Sequence, residues 1–106
     1  MVEVIWAAPA LDDLNTIAEY IALDNPEAAR KLVQRILATV ERLRSFPRSG
    51  SVPPEIRGLP YRRLVVPPCR VFYRPEKKRV SILHVMRAEQ LFRIDILLER
   101  DSPGQP

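Results

Sequence analysis

Two spacings of hydrophobic residues divide this chain into halves. In the first half, residues 11–21 and 26–45 carry apolar side chains at steps of three and four, the spacing of one helix face. Asn25 separates the segments and is a favourable N-cap for the second helix. Asp12 and Asp13 place negative charge near the start of the first helix, where the helix dipole favours it. The pattern predicts an αα-hairpin.

The second half contains short runs rich in β-branched residues. Runs at 61–66, 70–74 and 79–86 are bounded by prolines and charged turn residues, which is typical of strands. Their short links predict a three-strand antiparallel meander. A further strand is predicted at 2–6 and a proline-rich loop at 49–60. We therefore predict an α+β fold: one mostly antiparallel sheet, the helices on one face, and a short C-terminal helix.

The end of the chain completes this domain. Residues 88–100 carry spaced apolar side chains, including Leu91, and predict a short helix. Residues 1–100 are expected to form a single domain with one core. Residues 101–106 are expected to be a disordered tail.

Strict alternation along the last strand assigns its side chains to two faces. One face would carry Val80, Ile82, His84 and Met86, and the other Ser81, Leu83, Val85 and Arg87. Both faces contain apolar residues, so the strand is predicted to be central. One face would pack on the hairpin. The other would leave apolar side chains exposed unless the C-terminal segment or a partner covers them, which suggests a binding groove.

Composition and charge narrow the class of protein. The 106 residues are 46% hydrophobic and 28% charged, which is ordinary for a soluble globular protein, and no apolar run is long enough to cross a bilayer. The absence of a signal-peptide pattern and the single cysteine, Cys69, favour the cytoplasm and no membrane partner. The net charge of +4 implies an anionic partner, either nucleic acid or an acidic protein surface.

Few residues suit catalysis. One histidine and one cysteine cannot close a zinc site, and the three glycines are isolated, so we expect neither metal nor cofactor. Cys69 and His84 could form a nucleophile pair. We interpret Cys69 instead as a packed thiol, and His84 as a hydrogen-bonded core or groove residue. Arginines on the predicted strands could hold phosphates or carboxylates, or form a solvated basic face, and both interpretations stay open.

The order of these elements, together with five short sequences, resembles the RelE/ParE superfamily of bacterial type II toxins. The five sequences are LDDLNTIAEYIALDNPEAA, FPRSG, IRGLPYRRLVV, CRVFYRP and VSILHVMR. The resemblance covers about residues 2–95, nearly the whole predicted domain. The resemblance rests on the order and spacing of these five sequences.

The ParE-like branch is favoured by the long hairpin with DNPEAA and by the FPRSG turn. Such members poison DNA gyrase and stall it on cleaved DNA, without a nuclease centre. The resemblance implies that toxicity depends on the C-terminal part, here residues 87–98. It implies the target-binding residues Arg87, Glu89, Gln90, Phe92 and Arg93.

RelE-like members, the alternative, cut messenger RNA on the ribosome. Arg62, Arg70 and Arg87 match basic positions that would anchor phosphates and the transition state. Leu64 stands where another basic residue is expected, and Phe92 falls near a tyrosine position. Phenylalanine cannot transfer a proton, which puts RNA cleavage in doubt. A third alternative is a decayed toxin that only binds its antitoxin.

The resemblance also implies a small antitoxin partner in either branch. A ParD-like antitoxin would form a hetero-oligomer with this chain by packing a helix on an apolar groove and adding extended backbone to the sheet. Antitoxin tails of this kind are commonly acidic, which agrees with the positive charge. The predicted antitoxin-contact residues are Leu14, Ile17, Ile21, Leu83 and Val85.

Overall fold

A computed structural model describes residues 1–101. Its elements, in chain order, are β1 (Glu3–Trp6), α1 (Ala8–Ala22), α2 (Pro26–Glu41), β2 (Arg62–Val66), β3 (Cys69–Pro75), β4 (Arg79–Arg87) and α3 (Ile94–Arg100). The four strands form one sheet in the order β1-β4-β3-β2. β1 runs parallel to β4, and the other two pairings are antiparallel. The predicted α+β fold is confirmed. Residues 102–106 of the predicted tail lie outside the described residues.

The helical hairpin covers one face of the sheet. The side chain of Asn25 accepts a hydrogen bond from the Ala28 amide at 3.0 Å, as expected of an N-cap. Behind it, α1 and α2 point their apolar stripes at the strands. The fully buried members of this first core cluster include Ala10, Ile36, Leu43, Val71, Tyr73, Val80 and Ile82.

A second core cluster lies on the opposite face of the sheet. Its buried members are Ile56, Tyr61, Phe72, Leu83, Met86 and Leu97. Leu97 belongs to α3 and is fully buried, so the C-terminal helix itself closes this face. Of the two coverings considered for this face, the C-terminal segment is the one observed, so the chain's own last helix occupies the predicted binding groove.

The predicted alternation along β4 fails in the middle of the strand. Tyr73 of β3 pairs with Ile82, whereas Phe72, the residue before it, pairs with His84. Leu83 is consequently an extra residue, and the ladder contains a β-bulge at this point. A bulge sets two residues opposite one and shifts all later side chains by one position.

This shift separates Leu83 from Val85. Leu83 and Met86 join the second core cluster, whereas Val85 joins Val80 and Ile82 in the first. The prediction that placed Leu83 and Val85 on one face and Ile82 with Met86 on the other is wrong. No turn residue or charge in the sequence marks the extra position.

Candidate functional site in the C-terminal segment

The three arginines matched to RNA-cleaving toxins lie in separate places. Arg62 pairs across the strands with Tyr73, and Arg87 pairs with Cys69. Tyr73 and Cys69 both point into the first core cluster, so these two arginines are on the helix side of the sheet. They are roughly 13 Å apart along the strand direction at about 3.3 Å per residue. Arg70 alternates with its strand neighbours and faces the opposite side.

Arg62 and Arg87 also contact different groups. Arg62 donates a hydrogen bond to the carbonyl of Gly50 at 2.8 Å. The guanidinium of Arg87 lies 4.7 Å from the centre of the Tyr20 ring, a cation–π distance. Each arginine is therefore bound to its own part of the surface, and they do not share a phosphate-sized site.

Arg70 holds down the C-terminal segment, by which we mean residues 88–101. Its guanidinium donates to the carbonyls of Ala88 at 3.4 Å and Gln90 at 3.3 Å. Beside it, the rings of Phe92 and Phe72 stack with centroids 4.7 Å apart. The beginning of the segment is thus fixed to the sheet by polar and aromatic contacts.

Asp13 of α1 is the main anchor at the other end of the segment. Its Oδ2 lies 2.6 Å from the Arg100 guanidinium and 2.9 Å from His84 Nδ1, and it accepts a hydrogen bond from the Val85 amide at 3.0 Å. β1 ends opposite Ile82, so the carboxylate satisfies a backbone donor that β1 no longer reaches. Burial alone would raise the pKa of Asp13, but these hydrogen bonds outweigh burial and lower it.

Asp101, the residue after Arg100, forms a second anchor. It accepts hydrogen bonds from the Arg74 guanidinium at 2.7 Å and from the Tyr61 hydroxyl at 3.0 Å. Burial, and then the hydrogen bond to Asp101, raise the pKa of Tyr61 to about 12. The assignment of Asp101 to a disordered tail is wrong, because two buried or half-buried side chains hold it.

The predicted target-binding residues are brought together, but not all of them face outward. Gln90 accepts a hydrogen bond from the Arg87 amide at 2.7 Å, so its side chain closes the turn after β4. Phe92 points inward on the second core cluster. Glu89 lies 3.4 Å from the Arg87 guanidinium, and Arg93 lies 2.7 Å from Asp95, in exposed pairs.

Leu91 is the residue at this site that the sequence analysis missed. It was counted with the apolar side of the last helix, but α3 begins only at Ile94 and Leu91 is 86% exposed in the preceding loop. Its spacing of three residues from Ile94 fits a helix face, so nothing in the sequence pattern marks it as exposed. An exposed leucine between Glu89 and Arg93 gives the loop an apolar contact point with charged neighbours.

Four of the five predicted antitoxin contacts are buried inside the domain. Leu14 is 5% exposed, Ile17 7%, and Leu83 and Val85 2% each. They cannot meet a partner without unfolding, because the sheet, the hairpin and α3 already cover them. Ile21 is partly buried against the first core cluster. The spacing of these apolar residues was interpreted as a contact surface for the antitoxin, but the residues form the core of the domain.

A groove on the outer side of the hairpin is an accessible apolar surface. It has a volume of about 360 Å³ and runs between α1 and α2. Its floor and walls carry small or branched apolar side chains, with polar ones at the rim. These residues are Ala18, Ala22, Ala29 and Val33, with Glu19, Arg30 and Gln34.

Cys69 and His84 do not form a catalytic pair. Cys69 is fully buried toward the helices, and burial raises the pKa of its thiol. His84 stacks on Phe72 on the opposite face, with its Nδ1 turned to Asp13. Cys69 is a packed thiol and His84 is hydrogen-bonded, as predicted for each.

Two further observations concern metals and membranes. Within residues 1–101, no group of three or more histidine, cysteine or acidic side chains is placed to hold a metal ion. Over the same residues, no helix combines the length and hydrophobicity needed to span a membrane.

The fold is similar to that of type II toxins. A solved structure described as a chromosomal ParDE TA system from P. aeruginosa is similar over 82% of this chain and 96% of its own, with 31% identity and a TM-score of 0.67. A protein of Sinorhizobium fredii named "Putative toxin Y4kP" is 38% identical over 80% of this chain and 86% of its own length. Toxin RelE2 of Caulobacter vibrioides is 30% identical over 86% of this chain and its own full length.

The family model gives the narrower assignment. The model described as "ParE toxin of type II toxin-antitoxin system, parDE" matches residues 4–92. The chain belongs to this family and is a type II toxin of the RelE/ParE superfamily.

Proposed function

We propose that this toxin stops growth in the cytoplasm by poisoning DNA gyrase, and that a cognate antitoxin neutralises it. The separation of Arg62, Arg70 and Arg87 is the observation that favours gyrase over RNA as the target. Arg62 and Arg87 lie on one side of the sheet and Arg70 on the other, so these three cations do not surround a single scissile phosphate. Phe92, near the position of a catalytic tyrosine, has no proton to transfer and is packed on Phe72.

The turn after β4 is the proposed gyrase-binding surface. It presents Glu89, Leu91 and Arg93 to solvent, whereas Arg87, at the end of β4, is half-buried beside Tyr20. Arg70 and the second core cluster hold its backbone from below. A preformed loop loses less conformational entropy on binding than a flexible one, which favours a stable complex with a large target.

The antitoxin is proposed to dock on the groove between α1 and α2 rather than on the buried residues first assigned to it. The groove is apolar and accessible, and its small alanines permit the close approach of a helix. The net charge of +4 would attract an acidic antitoxin tail elsewhere on the surface. The resulting hetero-oligomer agrees with the ParDE description of the similar solved structure.

A gyrase assay tests the proposal directly. Purified toxin is added to DNA gyrase and plasmid, and supercoiling and trapped cleaved DNA are measured. We expect inhibition with accumulated cleaved DNA, and we expect Leu91→Asp to abolish it. Leu23→Asp is the matched control, because Leu23 is 84% exposed and lies at the hairpin turn. Normal gyrase activity in the presence of toxin that still stops growth would contradict the proposal.

The two alternatives are separated by further measurements on the same protein. A ribosome-dependent RNA-cleaving toxin would cut transcripts on translating ribosomes and lose that activity on Arg87→Ala. A decayed toxin would leave gyrase, transcripts and growth unaffected, yet still bind its antitoxin.

Co-purification tests the antitoxin surface. Val33→Asp places a charge in the hairpin groove and is expected to release the antitoxin. Leu37→Asp is the control, because Leu37 is 44% exposed on α2 and does not line the groove. Equal retention of the antitoxin by both variants would place its docking surface elsewhere.

A further inference from the structure

Five arginines lie along the β2 edge of the sheet, which we call the basic edge. They are Arg35, Arg42, Arg48, Arg62 and Arg63. A groove of about 550 Å³ between α2 and β2 is lined by Arg35 and Arg42. A second groove, of about 220 Å³ at the start of β2, is lined by Arg48 and Arg62. The residues lining these grooves include neither aspartate nor glutamate. The charge of this edge therefore has a single sign.

The hydrogen bonds of the basic edge leave its charge uncompensated. Arg35 donates to the Pro67 carbonyl at 2.9 Å, and Arg63 donates to the Ser51 hydroxyl at 3.3 Å. Both acceptors are neutral, as is the Gly50 carbonyl that Arg62 contacts. Seven arginines elsewhere pair with carboxylates: Arg30–Glu27, Arg44–Glu41, Arg74–Asp101, Arg79–Glu76, Arg87–Glu89, Arg93–Asp95 and Arg100–Asp13. The five charges exceed the whole net charge of +4.

The spacing of these arginines suits a regular polyanion. Arg35 and Arg42 are two helical turns apart, roughly 10 Å along α2 at 1.5 Å per residue. β2 from Arg62 to Val66 extends roughly 13 Å in the same region. A duplex carries about one phosphate per 3.4 Å of axis on each strand, so the edge spans about three or four phosphates.

An added peptide strand fits the same edge poorly. Ser51 already exchanges both backbone hydrogen bonds with Arg63, at 2.8 and 2.9 Å. Pro67, which follows β2, has no N–H to donate. Between these two points only Val65 could pair with another strand, and strand addition depends on a run of such bonds. Charge, rather than backbone pairing, is what this edge offers to a partner.

We propose that the basic edge binds the phosphate backbone of nucleic acid without reading its sequence. This inference does not rest on gyrase being the target. The arginines contribute charge and bidentate geometry to phosphate oxygens, and binding releases counterions from the nucleic acid. The affinity should therefore fall steeply as salt rises.

Fluorescence anisotropy of the full-length chain tests this. The probes are labelled duplexes of about 20 base pairs, one of DNA and one of RNA, titrated at several salt concentrations from about 50 mM upward. The double variant Arg35→Gln/Arg42→Gln should bind more weakly and reduce the slope of log affinity against log salt by about two. Lys77→Gln/Lys78→Gln removes the same charge from the β3–β4 link and should change the slope far less. Comparing the two duplexes identifies which nucleic acid supplies the phosphates.

Three results would overturn the proposal. The first is no binding of either duplex at the lowest salt. The second is an equal loss of affinity in the two double variants, which would indicate a response to net charge alone. The third is binding of poly-L-glutamate with no binding of either duplex, which would assign the edge to an acidic protein segment. Thermal melting of each variant verifies that the fold is retained.

Discussion

The Asp13 anchor allows a quantitative prediction. Asp13→Asn keeps the shape of the side chain but removes its charge, leaving the Arg100 guanidinium, 20% exposed, without its carboxylate. Removing one member of a buried ion pair costs about 3–5 kcal/mol. Because the pair is partly exposed and asparagine keeps one acceptor oxygen, we expect a loss of about 3 kcal/mol in the free energy of unfolding. At about 5 °C per kcal/mol for a domain of this size, Tm should fall by about 15 °C.

The Asp13 anchor also makes the stability of the protein depend on pH, with a definite sign. The pKa of Asp13 in the folded protein lies below the ordinary value of an aspartate, so the folded state favours the charged form. This stabilisation is fully present above the unfolded pKa and is lost as pH falls through the folded pKa. The stability difference between wild type and Asp13→Asn should therefore shrink below about pH 4.

Urea unfolding at several pH values measures both effects. Asp12→Asn is the matched control, because Asp12 is the exposed neighbour on the same helix. A difference of less than about 1 kcal/mol between the two variants at neutral pH would refute the assigned role, given the expected loss of about 3 kcal/mol. A difference that stays constant from neutral pH to about pH 3 would also refute it, because the carboxylate would then not be the stabilising group.

Three further predictions concern single contacts. Tyr61→Phe removes the hydroxyl bound to Asp101 and should cost about 1–2 kcal/mol in urea unfolding, and an unchanged midpoint would contradict this. Gly50→Ala should cost about 2 kcal/mol, since the new Cβ would lie 2.7 Å from the Tyr73 hydroxyl oxygen; a stable variant would show that the ring moves freely. Cys69 should react with a thiol reagent only on unfolding, because it is fully buried with a raised pKa, and rapid labelling of the native protein would disprove this.

The parts of the fold fixed by local chemistry could be predicted from the sequence. Asn25 capping α2 and the three-and-four spacing of the hairpin depend on neighbours in the chain, and both are observed. The β-branched runs predicted the meander for the same reason. Such patterns predict the folded structure correctly because they depend only on residues that are close together in the chain.

Features that depend on distant residues were not predictable. Asp13 was assigned to the helix dipole, but its partners His84 and Arg100 lie 71 and 87 residues away. The bulge at Leu83 follows from how β3 and β4 align, and nothing within β4 indicates it. The apolar pattern of the sequence identified core residues, but it did not indicate which of them the last helix would cover.

The two consecutive anchors of α3 have a consequence for how the toxin is made. Arg100 and Asp101 bind Asp13 and Arg74, and Leu97 completes the second core cluster, so every partner is synthesised before them. Until these residues leave the ribosome, one face of the sheet lacks its covering helix, and only Arg70 and the stacking of Phe92 on Phe72 support the turn carrying Leu91. We expect the proposed gyrase-binding surface to become fully ordered only at that moment, late in the synthesis of the domain.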